Sequence, residues 1–148
     1  MAHVRKLIRD NITSTVTGLT TTASRVYQSR IYPLETGELN GLCVYTLREA
    51  SEPVSVGGSS RTIQREVEIV IEAYVRGTGG YDNTIDTICV EVEEALAADL
   101  SRGGNAEDTS LASTEIEFSG DGDQPIAMCR LTYAVIYLTA QNDVETDK

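Results

Sequence analysis

Apolar residues recur along this chain with two periods, and the changes between them mark out its elements. Val4, Leu7, Ile8, Ile12, Val16 and Leu19 recur at helical spacing, and Gly18 stands where a helix would stop, which predicts an amphipathic helix over residues 4 to 17. RVYQSRIYP, rich in β-branched and aromatic residues and ending at Pro33, predicts a first strand over about residues 25 to 32. A polar, glycine-containing connection runs from Glu35 to Gly41. LCVYTL, residues 42 to 47, then reads as a strand buried on at least one face.

The clearest signal lies further on. Ile63, Val67, Ile69, Ile71, Ala73 and Val75 alternate with Gln64, Glu66, Glu68, Glu72, Tyr74 and Arg76, interrupted only by Arg65 and Val70. One face of this strand is predicted to enter a core and the other, strongly acidic, to face water. RGTGGYDN is a turn by composition, with Asp82 or Asn83 placed to cap a helix. Ile85, Ile88, Cys89, Val92, Leu96 and Leu100 line one side of this second helix, predicted over residues 82 to 100. LASTEIEFS predicts a strand, GDGDQP a turn, and IAMCRLTYAVIYLTA, residues 126 to 140, a long final strand. The polar end, residues 141 to 148, is predicted to fray.

The order helix, strand, strand, strand, helix, strand, strand predicts an α+β fold in a single domain spanning residues 1 to 148. Its sheet should be largely antiparallel or mixed, of about five strands, with two helices packed on one face. Strands of about 14 residues reach about 46 Å, whereas a second helix of about 19 residues covers about 28 Å. The long strands should therefore overshoot the helical layer, and an uncovered sheet edge predicts a second subunit to cover it. EASEPVSVGGSSR falls in a predicted mobile loop at about residues 48 to 61, long for a connection between two strands. That loop is a candidate docking arm, with Arg48, Glu52, Val54, Val56, Arg61 and Arg65 as candidate interface residues.

Composition narrows the partners. Twelve Lys and Arg stand against 23 Asp and Glu, a net charge of −11, the reverse of what a phosphate-binding surface needs, so direct nucleic-acid contact is not expected. The chain has no apolar run near the length of a membrane-spanning helix. Its start, MAHVRKLIRDN, does not resemble a secretory signal. Cys43, Cys89 and Cys129 are odd in number and embedded in apolar segments, which suits buried thiols in a reducing cytoplasm better than a disulfide framework.

Candidate chemistry is sparse. GGSSR lacks the GK[ST] ending of a phosphate-binding loop and precedes a strand rather than a helix, so its amides are not arranged for an anion. His3 is the sole histidine and reads as a solvated terminal residue, which leaves zinc and a histidine-based triad without support. Glu91, Glu93, Glu94, Glu66, Glu68, Glu72, Asp121 and Asp123 could in principle hold a divalent cation or do acid/base work. Alternate glutamates on a strand are, however, the ordinary dress of a solvated sheet face. Tyr27, Tyr32, Tyr45, Tyr74, Tyr133 and Tyr137 fall on predicted strands, where core or interface packing is expected. No catalytic, cofactor-binding or metal-ligating residue is assigned.

RKLIRDNITSTVTGLTTTASRVYQSRIYPL, ELNGLCVYTL, REVEIVIEAYV and MCRLTYAVIYLTA, in this order, are similar to a known family. The chain resembles the tail terminator, or tail completion, proteins of long-tailed bacteriophages, also called minor tail protein U-like. The stretch of Val26, Tyr27, Arg30, Tyr32, Pro33 and Leu34 is the most suggestive part, while Asn40 and Gly41 stand where family members often have a proline. The resemblance implies a small subunit that forms a homohexameric ring, caps the major tail tube protein, ends tube polymerisation and meets a head-side neck or connector protein. It also implies a location at the head-proximal end of the virion tail, with assembly in the host cytoplasm, and it carries no catalysis and no cofactor. Another neck or head-tail connector component, and a small carboxylate enzyme with a divalent metal, are the rival readings.

Overall fold

The computed structural model describes residues 2–28, 40–54, 61–77, 79–119 and 125–145. The elements are α1 (Val4–Val16), β1 (Val26–Tyr27), β2 (Gly41–Pro53), β3 (Thr62–Arg76), α2 (Tyr81–Ala97), β4 (Asp108–Ser119) and β5 (Ile126–Ala140). They form an α+β fold with a five-stranded mixed sheet in the order β1-β2-β3-β5-β4, as the periodicities predict. β1 runs parallel to β2, and the other neighbouring pairs are antiparallel. The first strand predicted over about 25 to 32 is described only through Tyr27 and Gln28, and the rest of it lies outside the described residues, as does most of GDGDQP.

Both helices lie on one face of this sheet because each carries a continuous apolar row. In α1 the buried residues Val4, Ile8, Ile12 and Val16 repeat every four positions; in α2 they are Ile85, Ile88, Val92 and Leu96. Against them the strands set Leu42, Val44, Val67, Ile69, Ile71, Ala73, Val75, Ala127, Cys129, Leu131, Tyr133, Val135 and Tyr137. Burying each large aliphatic side chain of this kind contributes about 1.5–3 kcal/mol, before the entropy of ordering the chain is subtracted.

The helix ends differ in detail from expectation. His3 is half-buried and caps α1: its Nδ1 accepts from the Arg5 amide at 3.0 Å, so it is not the solvated residue that its position suggests. α2 begins one residue before Asp82, after Gly80 in the left-handed region (φ 86°), and no side chain caps it. It ends at Ala97, so Leu100 stands beyond the helix and is 46% exposed rather than on the buried row. Arg102 closes that end. Fully buried, it donates from Nη2 to the carbonyls of Leu96, in the last turn, at 2.6 Å, and Asp99, just beyond the helix.

Two bulges set which side chains face the helices. The β2–β3 register runs Thr46↔Ile69 and then Arg48↔Glu68, leaving Leu47 as the extra residue; the β4–β5 register runs Leu111↔Tyr133 and then Ser113↔Thr132, leaving Ala112. Because Ile69 pairs with Tyr133, both bulges sit at one level of the sheet, flanking its two central strands. A bulge exchanges the two faces of the strand beyond it. In β2, the helix side therefore receives Leu42, Val44 and Thr46 before Leu47, and Glu49, Ser51 and Pro53 after it. β2 also extends to Pro53 and pairs throughout with β3, so residues 48 to 53 belong to a strand and not to the loop predicted at about 48 to 61.

Candidate functional site

The paired ends of β2 and β3 gather most of the predicted interface residues. β3 and β5, at 15 residues each, span about 50 Å, twice the roughly 25 Å of the 17-residue α2. Arg48, its side chain 73% exposed, bonds the Glu68 carboxylate on the face away from the helices. Glu52 lies opposite Gln64, and the Val54 amide donates to the Thr62 carbonyl at 2.9 Å, holding the hairpin beyond the last ladder pair. Arg61 is exposed, and its carbonyl accepts from the Gln141 amide at 2.6 Å. Val56 lies outside the described residues. The chain after β5 is also engaged here: Ala140 bridges Asp143, and the Val4 amide donates to the Val144 carbonyl at 2.9 Å, so residues 141 to 145 are tied down where fraying is predicted.

Arg65 has a different environment from the others. It lies on the helix side, where Nη1 reaches Glu49 Oε2 at 3.2 Å and Nε donates to Thr139 Oγ1 at 3.0 Å. Glu49 Oε2 also accepts from Arg5 Nη1 of α1 at 2.8 Å, and Oε1 accepts from the Tyr137 hydroxyl. The Leu47 bulge makes this knot possible, because it turns Glu49 toward α1. Burial, reinforced by the hydrogen bond to Glu49, pushes the Tyr137 phenol well above the usual tyrosine range. Burial, followed by the neighbouring Arg5 cation, draws His3 below its ordinary value.

A second polar knot occupies the face without helices. Glu72, 4% exposed, accepts from Tyr45 Oη at 2.9 Å, Tyr74 Oη at 2.8 Å and Arg130 Nε at 2.9 Å. Arg130 Nη1 continues to Glu115 Oε2 on β4 at 3.0 Å. Burial opposes the charge on Arg130, but the bonds to Glu72 and Glu115 outweigh it and raise its affinity for the proton. Glu72 is thus not one of the solvated glutamates predicted for the outer face of β3. Tyr45 and Tyr74 follow the expectation that strand tyrosines pack their rings and spend their hydroxyls on polar partners. The knot neutralises a buried carboxylate across β2, β3, β5 and β4.

The remaining feature is the margin of the sheet. β4 is the last strand, hydrogen-bonded to β5 on one side only among the described residues. After the Ala112 bulge, Ile116 and Phe118 turn to the helix side; Phe118 stacks on Tyr81 at the start of α2, with ring centroids 5.0 Å apart, yet both remain half exposed, at 52% and 50%. Before the bulge, Leu111, Thr109 and Tyr133 join Leu96, Ala97 and Leu100 in an open apolar groove of about 320 Å³, rimmed by Glu93 and Glu94. Residue spacing predicts an uncovered sheet edge but does not place it at β4, and it gives no sign of the Glu49 knot, because both depend on the bulges, which leave no mark in residue spacing.

Among the described residues no three His, Cys, Asp or Glu side chains converge as a metal site, and no helix is long and apolar enough to cross a membrane. The chain matches no protein-family model and no curated protein.

Proposed function

We propose that this protein is a structural assembly subunit, a tail terminator of a long-tailed bacteriophage, that closes into a homohexameric ring on the tail tube. The observation that carries the reading is the β4 margin, paired on one side only among the described residues: twelve residues of strand, exposed Ile116 and Phe118, and an apolar groove beside it. An exposed edge of this length invites pairing with another chain. A closed ring needs two different patches per subunit, one meeting the other on the neighbour. The β4 margin supplies one and the projecting β2–β3 hairpin, with Arg48, Glu52, Val54 and Arg61, supplies a second, available to a neighbour, the tube protein or a head-side neck protein.

The resemblance of the segments from RKLIRDN to MCRLTYAVIYLTA supports the same reading. Mixing the purified protein with tail tubes and imaging their ends by electron microscopy tests it. Rings seated on tube ends are expected, and Ile116→Lys, a change at an exposed position, should leave a folded subunit that forms no ring. Sedimentation as a monomer at every concentration, with bare tube ends, would overturn the proposal. Rings that bind a head-side complex and never the tube would instead indicate a different neck component.

A further inference from the structure

Three cysteines are present, and two of them meet. Cys89 on α2 and Cys129 on β5 place their sulfurs 3.6 Å apart, 40 residues apart in sequence, while Cys43 lies on the opposite face of the sheet in a separate apolar cluster with Tyr74 and Met128. Cys129 belongs to the helix-facing row of β5 and is fully buried. Cys89 stands beside the buried row of α2 and is only half-buried, so the pair lies at the margin of the core.

We propose that Cys89 and Cys129 are an oxidisable dithiol that closes to a disulfide when the protein meets hydrogen peroxide. The Cys89 thiolate attacks one peroxide oxygen, the O–O bond breaks, and Cys89 becomes a sulfenic acid with release of hydroxide, which leaves as water once it takes up the proton that the Cys89 thiol gave up. The Cys129 sulfur then attacks the Cys89 sulfur, the S–O bond breaks, and the second oxygen leaves as water with the Cys129 proton. Two thiols lose two electrons, and one peroxide is reduced to two waters.

Geometry and environment assign these roles. A disulfide is about 2.0 Å long, so the sulfurs must approach by about 1.5 Å for the bond to close. The hydrogen bond from Cys129 draws the Cys89 thiol below the ordinary cysteine value, against burial and the carboxylates of Glu93 and Asp86. Cys129 is pushed the other way, first by that same bond and then by burial, so it stays protonated while Cys89 attacks. The cross-link would join α2 to β5 and enclose the second half of α2 and all of β4 in one loop.

Trypsin separates the three cysteines, placing Cys89 in the fragment 77–102, Cys129 in 103–130 and Cys43 in 31–48. After peroxide treatment of the folded protein, the expected result is a loss of about 2 Da and a linked pair of the first two fragments, reversed by reductant. Because the loop is long, Tm should rise by about 5 to 10 °C on oxidation. Cys89→Ser should abolish both the link and the rise. Should Cys129→Ala fail to fold, the fragment map of the wild-type protein still decides. A persistent sulfenic or sulfinic acid on Cys89, a link involving Cys43, or no loss of mass would overturn the proposal.

Discussion

Glu49 and Glu72 are two acids from neighbouring strands that solve the same problem on opposite faces of the sheet. Each carboxylate is nearly dry, and each is held by arginine and tyrosine. Their partners differ in origin. Glu49 binds Arg5 of α1, Arg65 of β3 and Tyr137 of β5, so it fastens a helix to the sheet where the long strands outrun it. Glu72 binds only strand residues, and its arginine has a second acid in Glu115. Removing the acid from the first knot strands two guanidinium groups, whereas removing it from the second leaves Arg130 a partner. A buried ion pair is most costly when one half of it is deleted, so the two sites should respond unequally.

The largest effect is expected for Glu49→Ala. It leaves half-buried Arg65, held by Thr139 alone, beside Arg5, and should cost about 3 kcal/mol, with Tm falling on the order of 10 °C in a thermal scan. Glu72→Ala should cost less, about 2 to 3 kcal/mol by denaturant titration, from loss of the bonds that Glu72 accepts from Tyr45, Tyr74 and Arg130. Equal losses would break the contrast between a knot that joins layers and one that joins strands.

The smallest effect appears only in alkali. The Tyr137 pKa is raised in the folded state, by burial first and then by Glu49, above its ordinary value of 10.0. Its stabilising contribution is therefore complete below pH 10 and is lost as pH climbs above it, because the unfolded chain releases the proton first. Tyr133, raised mainly by burial, adds to the same slope. Tyr137→Phe should reduce the loss of stability between pH 10 and pH 11 by about 1 kcal/mol, measured by urea unfolding at the two pH values. An unchanged slope would mean that Tyr137 is not held by the Glu49 knot.

Most of the architecture is legible in the order of residues alone. The four-residue row of α1, the row of α2 and the alternation of β3 each reflect burial of one face, and burial leaves a periodic trace in the chain. The second half of β2 leaves none. Beyond Leu47 its residues include no large apolar side chain on either face, since one face meets water and the other meets the arginines of the Glu49 knot. Residues 48 to 53 therefore read as a loop, although every one of them is paired with β3. Glu72 departs from expectation for the complementary reason: the alternation places it on the face away from the helices, where it lies, but spacing carries no information about donors contributed by β2 and β5.

Sequence by itself determined the number and kind of elements, the α+β class and the apolar rows that bring both helices to one face, because those arise from periodicity within single segments. Tertiary structure alone decided the strand order, the two aligned bulges, the pairing of Cys89 with Cys129 and the partners of Glu49 and Glu72. Each of these is a meeting between residues distant in the chain. The physical reason is that hydrophobic burial acts locally on every segment, whereas a hydrogen bond or ion pair exists only when two remote groups share a register. The exposed β4 margin belongs to the second kind, and so does any function that rests on it.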